Sequence, residues 1–185
     1  MSKFWLLIPI LLITACNPDP QLLADASGNP RGATTWELKA KSVYDGDTFR
    51  VINSETGEEL KIRLACIDAP EKKQDLGIAS RDYLRSLLNQ NPNKIILAIA
   101  EKDRYGRSVA EVFIPNPKNS NEELPVNGMM LKAGMAFYYA QYANSCKDNA
   151  QIYEQLEKEA QRSRLGVWKS ANPMKPWEYR KKNRH

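Results

Sequence analysis

A chain of 185 residues has room for one ordinary domain with tails, and not for two. Charged residues make up 26%, and a net charge of +5 with a pI near 9.0 suits a polyanionic partner without requiring one. The one histidine is His185, the last residue, which excludes Ser-His and Cys-His catalysis, histidine-ligated zinc and a histidine base inside the fold. A hydrolase built on this chain must therefore give the base role to a carboxylate.

Residues 1–15 read as an export signal, with Lys3 as the positive start, Phe4 to Ile13 as the apolar core and Thr14-Ala15 as the small-residue exit. About 10 apolar residues are too few for a spanning helix, which needs about 20. Ile13-Thr14-Ala15-Cys16 resembles the lipobox of bacterial lipoproteins, which implies lipidation of Cys16 and an exported, membrane-anchored protein; simple secretion is the alternative. Residues 16–35, rich in Asn, Pro, Asp, Gln, Ser and Gly, are expected to be a flexible tether.

A globular domain is expected over 36–169. Trp36 to Tyr44 and Thr48 to Ile52 predict two antiparallel strands, joined by a tight turn at Asp45-Gly46 in which glycine supplies a positive φ. Glu59 to Leu64 alternates Leu60, Ile62 and Leu64 with charged residues, so Arg63 falls on the face opposite Ile62 and Leu64, where a solvated arginine is the plain expectation. Beyond Pro70, the spacing of Ala79, Tyr83, Leu84, Leu87 and Leu88 predicts a helix. Lys94 to Ala100 predicts a buried strand and Ser108 to Ile114 another, with Arg104 and Arg107 beside the connecting Tyr105-Gly106. Pro115 to Pro125 reads as a surface loop, Val126 to Ala133 as a short helix closed by Gly134, and Asn149 to Leu165 as a helix with Ile152, Leu156 and Ala160 on one face. Trp168 and Trp177 are expected to pack the end of the chain onto the body, and residues 170–185 to form a basic tail, with Arg180 to Arg184 as a solubilising end. The pattern is α+β: a five-stranded, partly open OB-type β-barrel with about three peripheral α-helices.

Arg63 to Glu71, with the upstream Asp45-Gly46-Asp47-Thr48 and the downstream Asp103-Arg104-Tyr105-Gly106-Arg107, offers oxygen ligands for a hard cation, a spare carboxylate and two arginines. Such a set suits phosphodiester hydrolysis. Asp45 is explained by turn chemistry alone. In their order along the chain these pieces, together with Val126-Asn127 and Leu131-x-x-Gly134-x-Ala136 ahead of the tyrosines, resemble the staphylococcal nuclease family. The resemblance implies an OB-type barrel and calcium-dependent cleavage of DNA and RNA to 3′-phosphate ends. By position, Asp47 and Asp68 would bind Ca2+ through carboxylate oxygens and Ala69, which replaces the family's threonine, through its main-chain oxygen. Glu71 falls on the catalytic glutamate, and Arg63 and Arg107 on the two arginines. The protein is expected to be monomeric. A non-catalytic lipoprotein that binds single strands on an OB fold, stacking bases on Tyr138, Tyr139 and Tyr142, is the alternative function. Cys66 and Cys146, an even pair once Cys16 carries lipid, are expected to form a disulfide in an exported domain, with two separate buried thiols as the alternative.

Overall fold

The computed structural model describes residues 35–183. The export signal, Cys16, all but the end of the tether, and His185 lie outside the described residues. In chain order the elements are β1 (Glu37–Leu38), β2 (Thr48–Ile52), β3 (Glu59–Leu64), β4 (Ile67–Asp68), α1 (Gly77–Leu88), β5 (Ile96–Lys102), β6 (Ser108–Asn116), β7 (Asn119–Pro125), α2 (Val126–Lys132), β8 (Phe137–Tyr138), α3 (Ala150–Arg162) and α4 (Pro176–Lys182). Short 3-10 segments span Ala140–Cys146 and Gly166–Lys169.

The class is α+β, with eight strands among the described residues in place of the expected five. Six form one sheet in the order β1-β2-β3-β6-β5, with β7 added on β6; β4 and β8 pair separately. β3 and β6 run parallel, Arg63 lying opposite Val109, and the remaining pairs are antiparallel. The sheet is not a closed barrel. Its two ends touch through one bridge, in which the Trp36 and Ile95 main chains exchange N–H···O bonds of 2.8 and 2.9 Å.

Period-2 patterning explains which face packs. Phe49 and Val51 of β2, Ile62 and Leu64 of β3, and Ala110, Val112 and Ile114 of β6 are fully or almost fully buried. Leu84, Leu87 and Leu88 of α1 and Met130 and Leu131 of α2 cover that face. Asn127, also buried, ties the layers together: its Oδ1 accepts the Val112 N–H at 2.9 Å, and its Nδ2 donates to the Ala65 carbonyl at 2.9 Å. A buried amide with both ends satisfied specifies how α2 docks as well as stabilising it.

Several local expectations need correction. Pro115 to Pro125 is not a loop, because β6 runs on to Asn116 and pairs with β7, an edge extension on which Asn119, Asn121, Glu122 and Glu123 are exposed. Lys94 to Ala100 is not a buried strand; only Ile95 is buried and Ile99 is 45% exposed, as suits β5 at the sheet edge. On α3 the inward face carries Tyr153, Leu156 and Ala160, while Ile152 is exposed. Residues 176–182 are helix and not a free basic tail. α4 starts with a buried Pro176 at its first turn, and Trp177 stacks on Tyr139 with centroids 4.6 Å apart and rings 5° from parallel.

Gly46 is required for a different reason from the one its turn suggests. Its φ is not positive, but a Cβ there would stand 1.9 Å from Ser80 Oγ and 2.6 Å from the Ala69 Cβ. The Asp45–Asp47 loop is therefore pressed against α1 and the start of the Ala69-Pro70 segment. Cys66 is bonded to Cys146, with Cα atoms 6.2 Å apart across 80 residues of chain. In chain-entropy terms a cross-link over a loop of that length is worth about 4 kcal/mol. It pins the β3–β4 turn, where Cys66 holds a left-handed φ of 59°, to the segment that precedes α3.

Candidate active site

β3 carries Arg63 out of the sheet, and the chain then turns at Ala65-Cys66 and folds back over it through β4. That reversal decides the fate of an arginine that alternation alone would leave solvated. Arg63 Nη1 donates to the Leu64 and Ile67 carbonyls, each at 2.9 Å, and only 13% of the side chain remains exposed. The same guanidinium joins two acids, with Nη1 3.2 Å from Asp47 Oδ2 and Nη2 2.8 Å from Asp68 Oδ1. Asp47 is fixed from the other side by the Ala69 N–H (2.8 Å to Oδ2) and by the Thr48 hydroxyl (3.1 Å to Oδ1). Its main-chain carbonyl accepts the Leu64 N–H at 2.9 Å. Thus Asp47, Arg63, Asp68 and Ala69, expected to act together, are gathered at the junction of β2, β3 and β4.

Glu71 lies just beyond, on the segment leading to α1. Its N–H donates to Gln74 Oε1 (3.1 Å), its carbonyl accepts the Gln74 N–H (2.7 Å), and Gln74 Nε2 reaches the Met174 carbonyl (2.5 Å). Gly77 seats α1 against this segment, since a Cβ there would stand 1.9 Å from the Glu71 carbonyl oxygen. The Glu71 side chain is 35% exposed, while its backbone is held by Gln74.

Arg107 is placed differently. It lies on the β5–β6 connection, where Asp103 accepts its Nε–H at 2.7 Å and its main-chain N–H at 2.9 Å. No bond ties it to Glu71 or Arg63; the parallel β3–β6 register, in which Arg63 faces Val109, brings its loop to the same end of the sheet. The Asp103 carboxyl is held below its usual range by these bonds to Arg107 and Tyr105, which outweigh the opposing effect of burial.

Two residues of the site were missed by sequence reasoning. Asp45 makes the turn contact expected of it, its Oδ1 accepting the Asp47 N–H at 3.1 Å, but it is also drawn into the site, where burial, with the Asp47 charge next to it, pushes its carboxyl up to about 7. The spacing Asp-x-Asp was the available signal. Arg180 of α4 is the larger omission. Its Nη2 is 2.7 Å from Asp68 Oδ2, and its Nη1 is 3.2 Å from Asp68 Oδ1 and 2.8 Å from Glu71 Oε1. Nothing local in a run of basic residues marks one of them as reaching back 112 positions; Pro176-Trp177 ahead of it was the only hint of an ordered, docked helix.

Of the three tyrosines expected to stack bases, Tyr139 is committed to packing. Tyr139 has one face under Trp177 and meets Tyr142 edge to face at 4.9 Å. Tyr138 is half-buried, whereas Tyr142 is exposed. The three-tyrosine stacking platform expected of a single-strand binder is therefore not laid open.

The donor set fits a hard cation in its chemistry. Among the described residues no three His, Cys, Asp or Glu side chains form a ligand cluster, and the expected set needs only two, with a main-chain oxygen as third donor. All three donors are oxygens, which suits calcium. Burial raises the Asp68 carboxyl, and the neighbouring Asp47 charge adds to that rise against the lowering effect of Arg180 and Arg63. Asp45, Asp47 and Asp68 crowd together, and the cations that face them in this structure are the Arg63 and Arg180 guanidiniums.

Comparisons with known proteins point to one family. The family model described as staphylococcal nuclease homologue matches residues 61–170. A protein called uncharacterized endonuclease from Escherichia coli O157:H7 is 37% identical over 138 residues, covering 75% of this chain and 80% of that protein. A micrococcal nuclease from Shigella flexneri is 36% identical over 146 residues, covering 77% and 79%. A second uncharacterized endonuclease, from Haemophilus influenzae, is 34% identical over 142 residues, covering 77% and 71%.

Proposed function

Since this chain belongs to the staphylococcal nuclease family and is a nuclease, a phosphodiesterase, we propose that it hydrolyses DNA and RNA with bound calcium and leaves 3′-phosphate ends. The observation that carries this reading is the junction of Asp47 and Asp68 on the single guanidinium of Arg63, with Glu71 three residues beyond Asp68. Asp47, Asp68 and the Ala69 carbonyl would hold the ion, which when bound neutralises a phosphate oxygen and helps orient or acidify a water. Glu71 takes or holds the proton of the attacking water at a hydrogen-bonding oxygen. Arg63 is already engaged with two carboxylates and two carbonyls, so its share is to fix the acids and add positive charge beside the phosphate. Arg107, with its Nε edge held by Asp103, has its terminal nitrogens free to fork onto phosphate oxygens as charge builds in the pentacoordinate transition state.

A groove of about 590 Å³ on the flank of the site, running from Tyr44 and Thr48, is lined by Lys41, Lys61, Lys72, Arg81 and Arg85 among others. Such a cationic run supports a polyanionic substrate, whose affinity falls with salt as counterions are released. Simple single-strand binding is the weaker reading, because Tyr139 stacks on Trp177 instead of on a base.

Nicking of plasmid DNA and cleavage of a single-stranded RNA test the reading. Both are expected to stop in excess chelator and to return with added calcium, with products from which a phosphatase releases 3′-phosphate. Undiminished cleavage in chelator would overturn the metal assignment.

The same reading extends to location, as an exported lipoprotein anchored through Cys16. A Cys16→Ser chain is expected to leave the membrane fraction or to stay unprocessed; wild-type membrane retention after normal cleavage refutes the anchor.

A further inference from the structure

Arg180 belongs to a part of the chain beyond the matched family region, which ends at residue 170, yet it makes the tightest set of contacts to the acids of the site. α4 is docked by means unrelated to those acids. Pro176 is buried at the helix start, Trp177 stacks on Tyr139 and meets Phe137 edge to face at 6.2 Å, and the Met174 carbonyl accepts from Gln74. Arg180 stands three residues after Trp177, close to the same helix face. Contacts other than the charge pairing therefore hold the helix that carries the guanidinium.

The guanidinium is shared in an informative way. Its fork engages both oxygens of Asp68, and the nitrogen at 3.2 Å from Asp68 Oδ1 also donates to Glu71 Oε1 at 2.8 Å. One nitrogen thus bridges a metal-ligand candidate and the base candidate, and fixes the separation of two carboxylates that would otherwise repel. Asp68 is 1% exposed and pinned on β4, whereas Glu71 is 35% exposed and its side chain has no other partner given by the structure among the described residues. The bridge therefore acts mainly on Glu71. With Oε1 held, Oε2 is the oxygen without a hydrogen-bond partner among the described residues.

We propose that Arg180 is a positioning residue of the nuclease: α4 completes the active site by holding the Glu71 carboxylate against Asp68 through the Arg180 guanidinium. The claim rests on the reading of Glu71 as the base. It predicts that the functional unit reaches at least to Arg180, and that an ordered bridge is needed for turnover more than for substrate binding.

Steady-state cleavage of single-stranded DNA by the calcium-loaded chain provides the test, with R180A, R180K, E71Q and the E71Q/R180A double variant. R180A is expected to lower kcat by about 10- to 100-fold, the range for outer partners of site residues, with KM within about twofold, and to regain part of the loss with added guanidinium ion. R180K keeps the charge but not the bridge, and is expected to recover only part. In the E71Q background the R180A effect should shrink to less than about threefold, because residues acting as a unit are not additive. Calorimetric titration of the substrate-free protein with calcium supplies a readout apart from activity, and R180A should bind no more than a few times tighter than wild type. Wild-type kcat from folded R180A, or from folded R180K should R180A unfold at the assay temperature, overturns the proposal. So does an undiminished R180A effect in the E71Q background. Calcium binding ten or more times tighter in R180A, with raised kcat, overturns it in favour of Arg180 as a competitor for the cation site. Full turnover by E71Q alone overturns the reading of Glu71 and this claim with it, whereas loss in E71Q with none in R180A overturns this claim only.

Discussion

Glu71→Gln is expected to lower kcat by about 10² to 10⁴, the usual contribution of a positioned acid or base, while the melting temperature stays within a few degrees of wild type. Glutamine preserves what the structure shows to be packing: the main-chain bonds with Gln74 are untouched, and an amide oxygen can still accept from Arg180 at the Oε1 position. What it removes is the capacity to accept a proton. The chain holds no histidine within the described residues to substitute for it. KM should change little, since a half-exposed amide neither repels nor attracts phosphate strongly. Turnover equal to wild type would show that another group takes the proton and would sink the assignment.

Arg63→Ala is expected to destabilise the fold by about 3 to 5 kcal/mol, the range for breaking a buried charge network by removing one partner, and to abolish measurable cleavage. The size follows from what is stranded: the Asp47 and Asp68 carboxylates lose their shared cation, and the Leu64 and Ile67 carbonyls lose a donor at 2.9 Å. Arg180 still pairs with Asp68, but Asp47 keeps only the Ala69 N–H and the Thr48 hydroxyl. Arg63→Lys, with one ammonium in place of a planar fork, should fall between the two in stability and still lose most activity. Urea denaturation measures the first effect and single-turnover cleavage the second. A loss of less than about 1 kcal/mol in Arg63→Ala would mean that the network is a surface ion pair in energetic terms.

Legibility from sequence varied with the range of the forces involved. The residues of β2, β3 and β6 announce themselves through alternation, because a half-buried strand sorts apolar from polar side chains at period 2. α1 and α2 follow from spacing, and α2 ends where expected, at Gly134 with φ 65°. Where an element lies at the edge of the sheet the same logic fails. β5 is apolar in sequence yet half-exposed, and β7 is polar yet paired, since backbone hydrogen bonding to β6 needs no apolar side chain.

The sequence by itself determined the chemistry available to this protein. One histidine at its last position leaves carboxylates as the bases to consider, and Asp47, Arg63, Asp68, Glu71 and Arg107 supply the carboxylates and guanidiniums to which the proposed phosphodiesterase chemistry is assigned. Only the tertiary structure decided which of them are joined. Alternation puts Arg63 on the solvent side of β3, and it is the return of the chain through Cys66, held by Cys146, that buries it between two aspartates. Arg180 shows the limit most clearly: in a basic run each cation looks alike, because a residue's charge is local information. Its partner is set by the docking of a helix, through Trp177 on Tyr139, from more than a hundred residues away.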